Sequence, residues 1–266
     1  MKKNEIVILG MNGSIGQLFI QNPRVCAANF RLENDVGEMV SGLRATGASY
    51  IINSAAITDI KTCEADPDYA AQINVTGACN LFKAASAAGF KRFIQISTSH
   101  VYGTSTYFKR FGVCDDCDPK STYGETKLEA ERQLKKFSKE YKIALSIIRI
   151  FSVLSPTLRQ GYLLPNLVAR AKSRDYSAIN GLNSVRDFVD ANEIERCLLK
   201  EASKHIPSRI FNLCSGKGTP LRDVVKMVYK KYGADYNSIE NFHDFESAGD
   251  FLVGDPSKNS LIKIDI

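Results

Sequence analysis

The order of its apolar runs constrains this 266-residue chain more than any other feature. "EIVILG" (5–10), "SYIIN" (49–53), "RFIQIS" (92–97), "IALSIIRI" (143–150) and "RIFNLC" (209–214) are short and almost uninterruptedly apolar, as strands buried on both faces are. Between them, helical spacing of apolar residues marks stretches near 74–89, 122–140, 163–173, 190–202 and 219–232. Strand and helix alternate, which predicts an α/β fold: a Rossmann-like, doubly wound parallel sheet with helices on both faces. "SIGQLFIQN" after the first run also has helical spacing, so the first helix is expected there, closed by Pro23. "RVCAANFRLENDVGEMV" offers one weak strand and one short helix.

The length suits one large domain with a small second lobe. Residues 1–150 read as the main sheet domain and 151–266 mainly as the lobe, interleaved with the last sheet strands. The net charge of +6 is spread without a block of five like charges, so no nucleic-acid partner is expected. The apolar runs are too short for a membrane span and "MKKNEIVILG" runs straight into a turn, so no membrane partner is expected and the cytoplasm is the expected location. Seven cysteines, an odd number in a large chain, read as reduced thiols. Cys114 and Cys117 form the only close pair, with no second pair or nearby His to complete a metal site; a surface loop is expected.

Gly10, Gly13 and Gly16 directly follow the first strand. There, glycines permit a tight turn, close approach of backbone to a pyrophosphate, and close packing of the following helix, whose N-terminus attracts phosphate. Gly10, Asn12, Gly13, Ser14, Ile15 and Gly16 are therefore candidate dinucleotide ligands. The end of the second strand reads the ribose: an acid there suits NAD(H), an arginine NADP(H). Asn29 and Arg31 stand near that point and no acid occurs until Glu33, which leans the choice toward NADP(H) over NAD(H).

Further along lie "INSAAIT" (52–58), "INVTGACNLFKAA" (73–85), "ISTSHVYG" (96–103), "STYGETKLEAE" (121–131), "SVRDFVDANEI" (184–194) and "VGDPSK" (253–258). In this order they resemble the motifs of the extended short-chain dehydrogenase/reductase family, in particular its nucleotide-sugar epimerases and reductases. The resemblance runs nearly end to end. It implies a nucleotide-sugar substrate, Ala55 and Ala56 beside the cofactor, and a homodimer paired through the helices beginning near Asn74 and Tyr123.

Tyr123 and Lys127 are four apart on an expected helix, hence on one face, where an ammonium lowers a phenol's pKa from about 10 toward working pH. Tyr123 would then exchange a proton with the sugar while nicotinamide exchanges a hydride. By resemblance Lys127 also bonds the nicotinamide ribose, and Thr98 bonds the reacting oxygen; Thr98 could equally cap its own backbone. Ser97 and Ser99 are the alternatives to Thr98, with Ser99 also a substrate contact. Asn74 is near the cofactor by resemblance or is a helix N-cap, and Asp35 contacts adenine or caps a helix. Arg186 matches an arginine that holds the substrate's phosphate, or pairs with Asp187 at the surface. His100 is expected at the site rim.

Dehydratases of the family usually carry Asp-Glu where this chain has Ser99-His100, which makes dehydration improbable. Ser152 and Tyr162 replace two asparagines of galactose-type epimerases, so the substrate wall differs. The reading favoured is reduction of a nucleotide-linked 4-keto-6-deoxy sugar at C4, with Tyr123 as proton donor. A C4 epimerase with bound NAD is the alternative, and a catalytically silent dinucleotide-binding regulator a third.

Overall fold

The structure, a computed structural model, describes residues 5–155, 158, 162–202, 207–246 and 248–258. The first strand, β1 (Ile6–Leu9), is wholly buried and ends at Gly10, whose φ of +87° turns the chain out of the sheet. Then come β2 (Val25–Ala27), α1 (Val36–Thr46), β3 (Tyr50–Asn53) and two short helices, α2 (Ile60–Ala65) and α3 (Pro67–Ala71). A π-helical turn, Gln72–Gly77, feeds α4 (Ala78–Ala87). Next are β4 (Arg92–Thr98), β5 (Arg110–Phe111), α5 (Thr122–Tyr141), β6 (Ala144–Ile150), β7 (Ser152–Leu154) and α6 (Leu163–Ser173). The chain continues through β8 (Val185–Asp190), α7 (Ala191–Glu201), β9 (Arg209–Leu213), β10 (Gly218–Pro220), α8 (Leu221–Lys231) and β11 (Phe251–Gly254).

Six strands form one parallel sheet in the order β2-β1-β3-β4-β6-β9. Side chains alternate between its faces. Val7, Leu9, Ile51, Phe93 and Leu145 meet Met39, Leu43, Leu81 and Phe82 on one side, while Ile6, Ile8, Ile52, Ile94 and Ile148 meet Ile194 and Leu198 on the other. The smaller sheet runs β10-β8-β11-β5, with β7 beside β8. Leu167, Val224, Val225, Val228 and Tyr229 build a separate core for the later lobe. β9 and α7 nevertheless return to the main sheet, so the lobe is interleaved with it. In the sheet order, β1 lies between β2 and β3, and the crevice above the β1/β3 boundary is where such sheets bind ligands.

The first helix departs from expectation. Only a four-residue 3-10 turn, Gly16–Phe19, follows the glycines. Asn22 and Pro23 leave too few residues for a stable α-helix before β2 begins at Val25. Phe19 is buried, whereas Ile20 is exposed. The sheet face there is covered instead by α7, whose Ile194 and Leu198 join Phe19 and Ile6 in one cluster, with Asn22 Nδ2 donating to Glu195 Oε1 at 3.1 Å.

Candidate active site

The glycine turn is tightly determined. Gly13 N donates to Gly10 O at 2.8 Å and Gln17 N to Gly13 O at 2.9 Å. A Cβ on Gly10 would come within 2.7 Å of Ala55 N, and one on Gly16 within 2.2 Å of Gly10 O. The loop after β3 is pinned to the same turn by Ser54, whose Oγ donates to Leu9 O at 2.7 Å. Above these lies a groove of about 520 Å³. Gly10, Asn12, Asn29, Arg31, Ala55 and Ala56 line it, as the sequence suggested, and so do Met11, Phe30, Glu33 and Tyr69. Gly13 and Gly16 shape the turn, and Ile15 packs against the core. Ser14 is buried with its hydroxyl unpartnered among the described residues, a polar atom aimed at no protein group. That orphan hydroxyl and the glycine cradle fit a phosphate-bearing ligand. The dipole of a long helix is not part of the fit, because the 3-10 turn replaces it.

Two other candidates sit elsewhere. Asp35 caps α1, Oδ1 accepting from Glu38 N at 2.9 Å, and lies outside the groove lining. Asn74 is not an N-cap: it is the third residue of the π-helical turn, almost wholly buried. Its Oδ1 accepts from Ile57 N at 2.8 Å, and its Nδ2 donates to Ile57 O at 3.0 Å and Thr126 Oγ1 at 3.1 Å. It holds the groove wall rather than facing the groove. Tyr69 and Ile73 come from a region the periodicity left as connection, although Asp66-Pro67 is a cap followed by a first-turn proline.

Tyr123 and Lys127 occupy the first turns of α5, capped by Ser121, whose Oγ accepts from Gly124 N at 3.2 Å. Thr98, the last residue of β4, does both things considered for it. Its hydroxyl accepts from His100 N at 3.2 Å and also hydrogen-bonds the Tyr123 phenol. Ser97 is committed to Glu131 Oε1 at 2.5 Å and is unavailable to a substrate, and Ser99 is buried in the 3-10 turn that follows. The expected lowering of the phenol by Lys127 is not found. Burial pushes Tyr123 well above its ordinary value, the Thr98 bond opposes this, and nearby Tyr162 and Cys63 add to the rise. Lys127 is itself buried, which pushes its ammonium down to about 8 against the pull of Glu131.

Glu131 was not foreseen. It lies on the same helix face, eight residues after Tyr123, and is wholly buried. Arg149 Nη2 meets its Oε2 at 2.7 Å and Arg149 Nε its Oε1 at 3.0 Å, while Arg149 Nη1 donates to Tyr102 Oη at 2.8 Å. The visible signal was a charged residue inside the apolar run "IALSIIRI", which needs a buried partner.

Arg186 on β8 pairs with Asp250 at 2.8 Å and not with Asp187. Asp187 is fully buried and accepts from Ser215 N at 2.8 Å, Gly216 N at 2.8 Å and Gly254 N at 3.1 Å, joining β8 to the β9–β10 loop and to the end of β11. Ser152 is half-buried on β7, opposite Phe188, and Tyr162 precedes α6. Of the late loop "SPTLRQGYLLPN" (155–166), residues 156, 157 and 159–161 lie outside those described, as do 259–266. Among the described residues no helix is long and apolar enough to cross a membrane, and no cluster of three His, Cys, Asp or Glu could hold a metal.

Comparison with known proteins places this geometry. GDP-6-deoxy-D-mannose reductase of Pseudomonas aeruginosa is 24% identical over 187 residues, 67% of this chain and 61% of that protein. UDP-glucose 4-epimerase of Vibrio cholerae is 33% identical over 125 residues, 45% of this chain and 38% of its own. The chain spans about two fifths to three fifths of the length of the curated relatives it matches first. A dTDP-glucose 4,6-dehydratase from Streptomyces venezuelae, solved with NAD and TYD bound, has the same fold: TM-score 0.80 at 19% identity, covering 95% of this chain and 88% of that one. The family description matches residues 21–214, beginning after the glycine turn. The chain belongs to the NAD dependent epimerase/dehydratase family.

Proposed function

We propose that the protein is an NADPH-dependent reductase of a nucleotide-linked 4-keto-6-deoxy sugar. The observation that carries this reading is the pair at the end of β4 and the start of α5: the Tyr123 phenol is hydrogen-bonded to the Thr98 hydroxyl, a proton donor beside a group that can hold the reacting oxygen. A bound reduced nicotinamide supplies the hydride. Tyr123 gives its proton to the C4 oxygen, and Thr98, already hydrogen-bonded to the phenol, holds that oxygen in line. Arg186 faces the substrate's diphosphate, exchanging its Asp250 partner for phosphate oxygens. The reductase among the relatives supports the substrate class.

The groove supports the coenzyme. Arg31 lines it with Asn29, while Glu33, the nearest acid, is within 3.4 Å of the Tyr69 hydroxyl. A guanidinium suits a 2′-phosphate.

The test is absorbance at the reduced-nicotinamide band with a panel of 4-keto nucleotide sugars. Stoichiometric loss of NADPH with one substrate, lowered 10²-fold or more in Tyr123→Phe, is the expected result. Interconversion of two C4 epimers without coenzyme consumption would establish the epimerase instead, and no turnover of any nucleotide sugar would leave a dinucleotide-binding regulator. Fluorescence titration with NADPH and NADH tests the coenzyme: Arg31→Ala should weaken NADPH binding selectively.

A further inference from the structure

Ser97 and Thr98 close β4, and both are fastened to α5. Thr98 is hydrogen-bonded to the Tyr123 phenol at the start of that helix, and Ser97 Oγ donates to Glu131 Oε1 at 2.5 Å about two turns further along. A single fastening would let the helix pivot about it, whereas two fix both the separation and the angle of strand end and helix start. The second fastening is itself held. Arg149 stands opposite Ser97 in the β4–β6 ladder, so both reach the same carboxylate, Arg149 Nη2 meeting Glu131 Oε2 at 2.7 Å and Nε meeting Oε1 at 3.0 Å. Asn212 stands opposite Arg149 on β9, and the Tyr102 phenol bridges them, accepting from Arg149 Nη1 and donating to Asn212 Oδ1, each at 2.8 Å. Tyr102 ends the 3-10 turn that follows Thr98. Thr98 therefore has a committed group on each side of it in the chain, Ser97 before and Tyr102 after. Ser97, Glu131, Arg149, Tyr102 and Asn212 are all buried, so the row lies beneath the site and not in it.

We propose that Ser97 and Glu131 form a positioning pair: through it α5 sets where the Thr98 hydroxyl stands against the Tyr123 phenol, and so where the reacting oxygen of the sugar is held. This rests on the reading above, in which Tyr123 and Thr98 act on the sugar. Proton transfer to an oxygen held by a neighbouring hydroxyl needs both groups in place at once, and a buried, charge-assisted hydrogen bond between their two elements holds that geometry before any ligand arrives. Neither Ser97 nor Glu131 touches the substrate in this arrangement. They act on the rate through Thr98 and Tyr123 and leave binding to other residues.

The experiment follows NADPH absorbance with dTDP- and GDP-linked 4-keto-6-deoxyhexoses, using the full chain as wild type, Ser97→Ala, Thr98→Val and the double variant. Each is assayed below its own unfolding midpoint, with single-turnover rates for the slow ones. Ser97→Ala leaves the Glu131 carboxylate and its Arg149 bonds in place, so a slower rate in that variant is not the loss of a charge four residues from Lys127. The expected result is a kcat lower by about tenfold with KM for sugar and for NADPH within about twofold, because a misplaced reacting group slows the chemistry without weakening binding. In the Thr98→Val background, Ser97→Ala should cost less than about twofold, since the hydroxyl that it places is gone; a merely structural bond would cost the same factor in both backgrounds. A Ser97→Ala enzyme with the wild-type kcat, a loss confined to KM, or an equal loss with and without the Thr98 hydroxyl overturns the proposal. If wild type turns over none of these sugars, the reductase reading falls and the positioning role with it, a different result from a wild type that turns over and is indifferent to Ser97.

Discussion

Replacing Lys127 by Met should kill the catalyst and stabilise the fold. Lys127 is 3% exposed, and its ammonium titrates at about 8 when folded, against 10.5 for a free lysine. That gap corresponds to about 3 kcal/mol of cost for keeping the charge inside, after the attraction of Glu131 is included. The folded lysine binds its proton less tightly than the unfolded one. Its cost is therefore fully present below about pH 8 and disappears as pH rises toward 10.5. Met is unbranched and of similar length and carries no charge, so it suits the same buried position. Urea denaturation at pH 6.5 should show Lys127→Met more stable by up to about 3 kcal/mol. Repeated at pH 8.5 and 9.5, the advantage should shrink step by step, because wild type then folds with a neutral amine. A variant no more stable than wild type at pH 6.5, or an advantage that stays flat with pH, would refute the reasoning. The buried charge would then be offset by Glu131, and Lys127 would cost the fold nothing.

Glu131→Gln leaves the Arg149 guanidinium buried without an anion, so stability should fall by about 3–5 kcal/mol in urea, and Glu131→Gln with Arg149→Met should recover a large part of it. Gly10→Ala places a side chain on a φ of +87° and 2.7 Å from Ala55 N. It should cost more than about 1 kcal/mol and raise the Kd for NADPH severalfold by fluorescence titration, because the displaced loops are the groove's own walls.

The main sheet was legible because buried parallel strands leave continuous apolar runs. All five named runs became strands of the one sheet, and Tyr123 and Thr98 meet because strand end and helix start come together at its carboxyl edge. What failed was local. "SIGQLFIQN" has helical spacing, but spacing cannot show that Pro23 and β2 leave no room for a helix to propagate, nor that α7 covers the face it would have filled. β7, β8, β10 and β11 went unread as strands because β7 and β10 are three residues long and half-buried, β8 breaks its apolar pattern with Arg186 and Asp187, and the pairing of all four depends on residues far apart in sequence. The direction of the Tyr123 shift failed for a similar reason. Helical spacing brings a charge near, whereas desolvation depends on everything that closes over the site.

Residues 57–77 carry the part of the design least visible in sequence, and they join the two halves of the site. Glu64 on α2 accepts both the N–H and the hydroxyl of Thr122, at 2.8 and 2.9 Å, so it fixes the residue before Tyr123. Asn74 holds Thr126 three residues after it, and Thr126 Oγ1 donates to Tyr123 O at 3.0 Å. The phenol thus projects from a stretch tethered at both ends by one segment. That segment also supplies Ile57, Tyr69 and Ile73 to the groove above the glycine turn. Asn74 grips Ile57 through both its N–H and its carbonyl, and a π-helical turn, a geometry common at functional sites, makes room for it. The wall of the groove and the support beneath Tyr123 are therefore one structure, held by Asn74, Ile57 and Thr126.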